Sequence, residues 1–156
     1  MRYSRSSPRA TGKDVLRILI ADDHEAVRKG VCAILGSRDD VEICGEAENG
    51  KEAIEKAVAL TPDLIVLDIT MPVLSGFEAA REIRRILPHM PILILSMHES
   101  NQLIEEAKKI GVQGYVTKTQ VGGTLLQAVD ALLRKETFFP PRSARGERSS
   151  SLSPRV

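Results

Sequence analysis

Regular patterning begins at Leu16–Ala21, where LRILIA is a short apolar run that stops at the acidic pair Asp22-Asp23. A run this short and this rich in Ile and Leu predicts a buried strand. Residues 24–37 then carry Val27, Val31, Ile34 and Leu35 at helical spacing. The alternation repeats. Val41–Ala47 reads as a second strand closed by Asn49-Gly50, and 51–60 as a helix with Ala53, Ile54 and Ala57 on one face. Residues 63–67 (DLIVL) form a third strand, apolar almost throughout, the pattern of a strand covered on both sides. Residues 76–87 are helical with Phe77, Ile83 and Ile86 turned inward, and 91–95 (PILIL) is a fourth strand. A helix over 102–110 is stopped by Gly111, Gly114–Thr117 is a fifth strand, and 124–135 is a last helix. Its stripe is Leu125, Leu126, Val129, Leu132 and Leu133.

Strands alternating with helices imply a parallel sheet with helices on both faces. Right-handed crossovers then restrict the chain to a doubly wound α/β fold, (βα)5 and flavodoxin-like, with strand order 2-1-3-4-5. Residues 15–135 form this single domain. Residues 1–14 read as a disordered basic extension, and 136–156 as a disordered tail or linker remnant. That tail holds Pro140-Pro141, a triple Ser and few apolar residues beyond Phe138 and Phe139.

Hydrophobic residues at 42% and charged residues at 28% suit a soluble globular chain. No apolar stretch approaches the roughly 20 residues needed to span a bilayer, and no signal-type core follows the basic start, so a cytoplasmic location is expected. Cys32 and Cys44 lack metal-site spacing and read as small hydrophobes. The net charge of +1 hides an asymmetry. Arg2, Arg5, Arg9 and Lys13 make the first thirteen residues +4, and Arg142, Arg145, Arg148 and Arg155 against Glu147 make 140–156 +3, leaving −6 between. An acidic core argues against direct DNA binding, which needs clustered Lys and Arg.

In such a sheet, ligands bind beyond the carboxyl ends of the strands, where the order reverses. Strand 1 ends at Asp22-Asp23, strand 3 at Asp68 and strand 4 at Ser96, and Lys118 follows strand 5. Singly, each has a plain explanation: a helix cap, a turn starter, a loop hydroxyl, a solvated lysine. Jointly they bring three carboxylates, a hydroxyl and an amine to one end of the sheet. Two unit charges 4 Å apart repel by roughly 4 kcal/mol at an effective dielectric near 20, so such a site calls for a cation. Carboxylate oxygens with room for water suit Mg²⁺, beside which a carboxylate can accept a phosphoryl group.

ILIADDHEAVRKG, LIVLDITMPVLSG, ILILSMHE and GYVTKT resemble, in order, the four signature segments of response-regulator receiver domains of two-component systems. They look most like the branch whose members usually carry a carboxyl-terminal helix-turn-helix of the LuxR type; no such segment is expected within these residues, which read either as a single-domain regulator or as a truncated one. The resemblance implies that Asp22 and Asp23 bind Mg²⁺ and that Asp68 is the phosphoacceptor and a metal ligand. It implies that the Thr70 carbonyl completes the metal shell, that Ser96 is the switch hydroxyl and Lys118 the phosphate-pairing lysine. Tyr115 matches the switch aromatic whose ring turns inward on activation. A sensor histidine kinase would donate the phosphoryl group, and the face of helix 4, strand 5 and helix 5 would meet a second copy or a downstream protein. Thr119 stands where many receivers have proline, so no cis peptide is expected there, and Met97 is bulkier than usual. His24, His89 and His98 read as surface or cap residues, with His98 placed to tune dephosphorylation.

Three other readings compete. A phosphatase using an aspartyl phosphate generally needs a second acid two residues after the nucleophile, and that position is Thr70. A receiver that no longer takes phosphate would lack some of these residues. DNA binding would have to come from the basic ends.

Overall fold

A computed structural model describes residues 15–141; the expectations for 1–14 and 142–156 lie outside them. The elements run β1 (Leu16–Ala21), α1 (Glu25–Gly36), β2 (Val41–Ala47), α2 (Gly50–Leu60), β3 (Leu64–Asp68), α3 (Gly76–Ile86), β4 (Ile92–Ser96), α4 (Asn101–Ile110), β5 (Gly114–Thr117) and α5 (Val121–Leu133). A 3₁₀ turn, Lys118–Gln120, links β5 to α5. All strand pairings are parallel and the order is β2-β1-β3-β4-β5, as the alternation implied.

β3 and β4 are buried end to end, and β1 beyond Leu16, because helices cover both faces. Leu19, Ile65, Leu67, Ile92 and Ile94 pack with α2, α3 and α4 residues such as Ala53, Ala80 and Ala107. Ile18, Ile20, Leu64, Val66, Leu93 and Leu95 point to the opposite face, against Val31 and Leu35 of α1 and Leu125, Val129 and Leu132 of α5. The two-residue period of a strand divides each apolar run between two cores.

Local chemistry sets the helix ends. Asn49 caps α2 by accepting from the Glu52 amide, Ser75 and Glu78 form a reciprocal capping box at α3, and Ser100 caps α4. Gly111 ends α4 at φ 97°, a left-handed conformation that glycine adopts without strain. The β1–β2 register slips between Ile18 and Leu19, leaving Cys44 as the extra residue of a bulge. Both cysteines are free, and burial pushes each thiol up to about 11. No cis peptide occurs among the described residues.

Several expectations are corrected. Ile86 and Leu133 are each 37% exposed, because their stripes are wider than the surfaces the sheet offers them. The apolar runs 63–67 and 91–95 each start one residue early, while Asp68 and Ser96 end β3 and β4 as expected. α5 starts at Val121, with Gly122 and Gly123 in its first turn, because the 3₁₀ turn leads straight into it. The folded unit does not close at 135: Phe138 bridges in parallel to Gly114, and Phe138 and Phe139 pack against the two cores. Two aromatic rings bury enough apolar surface to hold a segment whose composition reads as linker.

Candidate functional site

β1 and β3 are neighbours at the centre of the sheet, so their last residues stand side by side at its carboxyl end. Asp22 follows β1 directly. Its amide donates to the Ala47 carbonyl at 3.0 Å, and its Oδ1 accepts from the His24 amide at 2.8 Å. Arg28, a buried cation on α1, donates to the Asp22 carbonyl at 2.7 Å and to Glu46 Oε1 at 2.8 Å. The Asp22 backbone is thus tied at its amide and at its carbonyl.

Asp68 is the last residue of β3 and is 2% exposed. The close approach of α3 frames it: a Cβ on Gly76 would fall 1.9 Å from the Asp68 carbonyl oxygen. Lys118 enters from β5, its turn braced by contacts of the Thr117 hydroxyl with Thr119 and Gln120. Its ammonium lies 2.9 Å from Asp22 Oδ2 and 3.2 Å from Asp68 Oδ1, with all three side chains buried. Asp68 Oδ2 is buried with no hydrogen-bond partner.

One ammonium therefore faces two buried carboxylates, with Asp23 close by. Burial, reinforced by the neighbouring Asp22 charge, pushes the Asp68 carboxyl up to about 6, while Lys118 and the Thr70 amide pull the other way. Asp22, Asp23, His24 and Asp68 offer ligand atoms that all lie within 4.8 Å of one another. Hard oxygen donors, a surplus of negative charge and one unpartnered buried oxygen fit a divalent cation such as Mg²⁺.

Ser96, also buried, ends β4 beside Asp68's strand and accepts at its Oγ from the His98 amide at 3.0 Å. Tyr115 is wholly buried, and its hydroxyl donates to the His98 carbonyl at 2.6 Å. Burial raises the Tyr115 pKa, and a hydrogen bond with Ser96 opposes that rise. Thr70 is exposed in the β3–α3 loop. So Asp22, Asp23, Asp68 and Lys118 are brought together, with Ser96 on the adjoining strand end. Two participants were not seen in the sequence. His24, the N-cap residue of α1, places Nδ1 3.3 Å from both Asp22 Oδ1 and Asp23 Oδ1. Arg28 meets Glu46 and Glu48 only through the fold, so nothing in its local spacing singles it out.

A doubly wound sheet with an acid cluster and a buried lysine at the carboxyl ends of its strands defines a metal-ready aspartate pocket. The chain belongs to the response-regulator receiver domain family, which matches residues 18–130. The response regulator protein VraR of Staphylococcus aureus is 37% identical over 126 residues, 81% of this chain and 60% of its own length. The chain thus spans about 60% of the length of such relatives. The crystal structure of a LuxR-family two-component response regulator from Aurantimonas sp. SI85-9A1 superposes with a TM-score of 0.81 at 32% identity, covering 90% of this chain and all of that one. The isolated receiver domain of RcsB from Salmonella enterica serovar Typhimurium, solved with the phosphomimetic BeF3−, gives 0.76 at 25% identity, over 86% and 98% of the two chains. Among the described residues no helix is long and apolar enough to cross a membrane.

Proposed function

We propose that this chain is a phosphorylation switch in which Asp68 accepts a phosphoryl group from a sensor histidine kinase or a small phosphodonor. The observation that carries the reading is the buried, unpartnered Asp68 Oδ2 in a pocket it shares with Asp22 and Lys118. An Asp68 carboxylate oxygen attacks phosphorus, the P–N bond to the donor histidine breaks, and the imidazole leaves with the electron pair and takes up a proton. Mg²⁺, held by Asp22, Asp23, Asp68 and the Thr70 carbonyl, would offset charge on acceptor and donor oxygens. Lys118 pairs with one phosphoryl oxygen as a point charge, and the Ser96 hydroxyl donates to another.

The added charge of about −1.5 to −2 draws Ser96 and Lys118 toward Asp68. The hydrogen-bonded path from Ser96 through His98 to Tyr115 carries that movement to the face of α4, β5 and α5. That face then meets a second copy or a downstream protein, in the cytoplasm, with no direct DNA contact from this chain. The chain is a signalling receiver whose only catalysis is its own phosphoryl transfer and autodephosphorylation.

The test is uptake of label from a phosphorylated kinase or acetyl phosphate with Mg²⁺. Wild type is expected to take up acid-labile label, and Asp68→Asn to lose it by more than about 100-fold. Undiminished uptake by Asp68→Asn overturns the assignment.

A further inference from the structure

β5 is the last strand of the sheet, and an edge strand normally presents unpaired amides and carbonyls. Here the chain's own continuation beyond α5 covers it. The Phe138 amide donates to the Gln113 carbonyl at 2.9 Å, and the Phe138 carbonyl accepts from the Tyr115 amide at 2.8 Å. The two rings then part: Phe138 packs with the core under α1 and α5, Phe139 with the core under α3 and α4. Lys108 of α4 lies over the Phe139 ring at 5.1 Å from its centroid. Phe138, Phe139, Pro140 and Pro141 form one wall of a cleft of about 270 Å³ whose other side includes Tyr115 and Glu99.

Tyr115 is therefore held twice. Its backbone amide belongs to the covering segment and its side-chain hydroxyl to the β4–α4 loop, where the His98 amide in turn donates to Ser96. A ring leaving the buried position toward this edge would enter the cleft that the segment walls.

We propose that residues 136–141 are a strap that docks on the β5 edge by parallel strand addition and holds Tyr115 in its buried position, so that strap docking and phosphoryl occupancy of the acidic pocket favour one another. The strand-addition chemistry is that of peptide capture at a sheet edge, with the occupant supplied by the same chain. The coupling rests on the reading of Asp68 as acceptor, and by linkage it is reciprocal: what tightens one site tightens the other. The docking itself does not depend on that reading.

The test uses the full chain and two variants. Phe138→Pro removes the amide that donates to Gln113, and the double variant Phe138→Ala/Phe139→Ala keeps the backbone but removes both rings. Amide hydrogen exchange is followed at Tyr115, with Ile94 inside β4 as the folding control, and affinity is measured for beryllofluoride with Mg²⁺. In wild type the Tyr115 amide is expected to be protected, and more so with beryllofluoride. In both variants it exchanges at least about tenfold faster while Ile94 stays protected, and beryllofluoride binds about tenfold more weakly. An unprotected Tyr115 amide in wild type overturns the strap and leaves the Asp68 reading standing. Faster Tyr115 exchange with beryllofluoride affinity unchanged within about twofold overturns the coupling. If wild type ignores beryllofluoride while Tyr115 is protected, the Asp68 reading and the coupling fall together and the docked strap remains.

Discussion

Two clusters in this molecule have the same makeup, one cation facing two carboxylates, and behave oppositely. Arg38, after α1, makes a two-pronged contact with Asp40 at 3.0 and 2.9 Å and reaches Asp130 of α5 at 2.7 Å. Its side chain is 26% exposed and those of both acids more than 40%, so water shares the load, and the bond to Asp40 followed by that to Asp130 raises its pKa. Lys118 faces Asp22 and Asp68 with all three side chains at or below 4% exposure. A point-like ammonium cannot fork as a guanidinium does, one Asp68 oxygen goes unpaired, and Asp23 adds a third acid nearby. Charge counting would call both salt bridges. Solvent and donor geometry separate a tether from a site that needs another partner.

That contrast can be broken or sharpened by substitution. The largest effect is expected for Lys118→Met in phosphotransfer, where losing a buried cation should slow label uptake by about 100-fold or more. The same variant leaves two buried carboxylates unpaired and should cost about 3 kcal/mol in urea unfolding without divalent cations. Asp68→Asn should do the reverse, raising metal-free stability at pH 7 by about 2 kcal/mol, because it removes a charge held at a disadvantage.

The sign of the pH dependence follows. The unfolded chain releases the Asp68 proton near the ordinary value of 3.8, the folded one only near 6. Between those values the folded state binds more protons, so stability falls as pH rises and the penalty is complete above about 6. Unfolding series from pH 4 to 8 in EDTA should show this slope in wild type and flatten it in Asp68→Asn. Millimolar Mg²⁺ should raise the Tm of wild type more than that of the variant. The smallest effect is expected for Arg38→Met, about 1 kcal/mol or less, shrinking further in high salt. If it matches Lys118→Met, burial is not what divides the two clusters.

Most of the frame was legible because aliphatic runs such as DLIVL and PILIL are short, uniform and ended by polar residues, which fixes strand position and cover at once. The gathering of Asp22, Asp68 and Lys118 followed from strand order alone. The outward turn of Ile86 and Leu133 was not legible, because helical periodicity names a stripe but not how much of it a neighbour covers. Nor was the docking of Phe138 and Phe139, whose partners lie on β5 and α4 rather than at any local spacing. His24 and Arg28 joined the site through loop geometry, which leaves no periodic trace.

Gly76 carries a consequence of its own. Because α3 begins where a single extra carbon would collide with the Asp68 carbonyl, the acceptor is positioned by a helix end pressed against its peptide bond rather than by the length of the intervening loop. The loop before it is held separately, Leu74 packing with the core and accepting at its carbonyl from the Gly50 amide at 3.0 Å, whereas a methyl group at position 76 must shift either the helix or the strand.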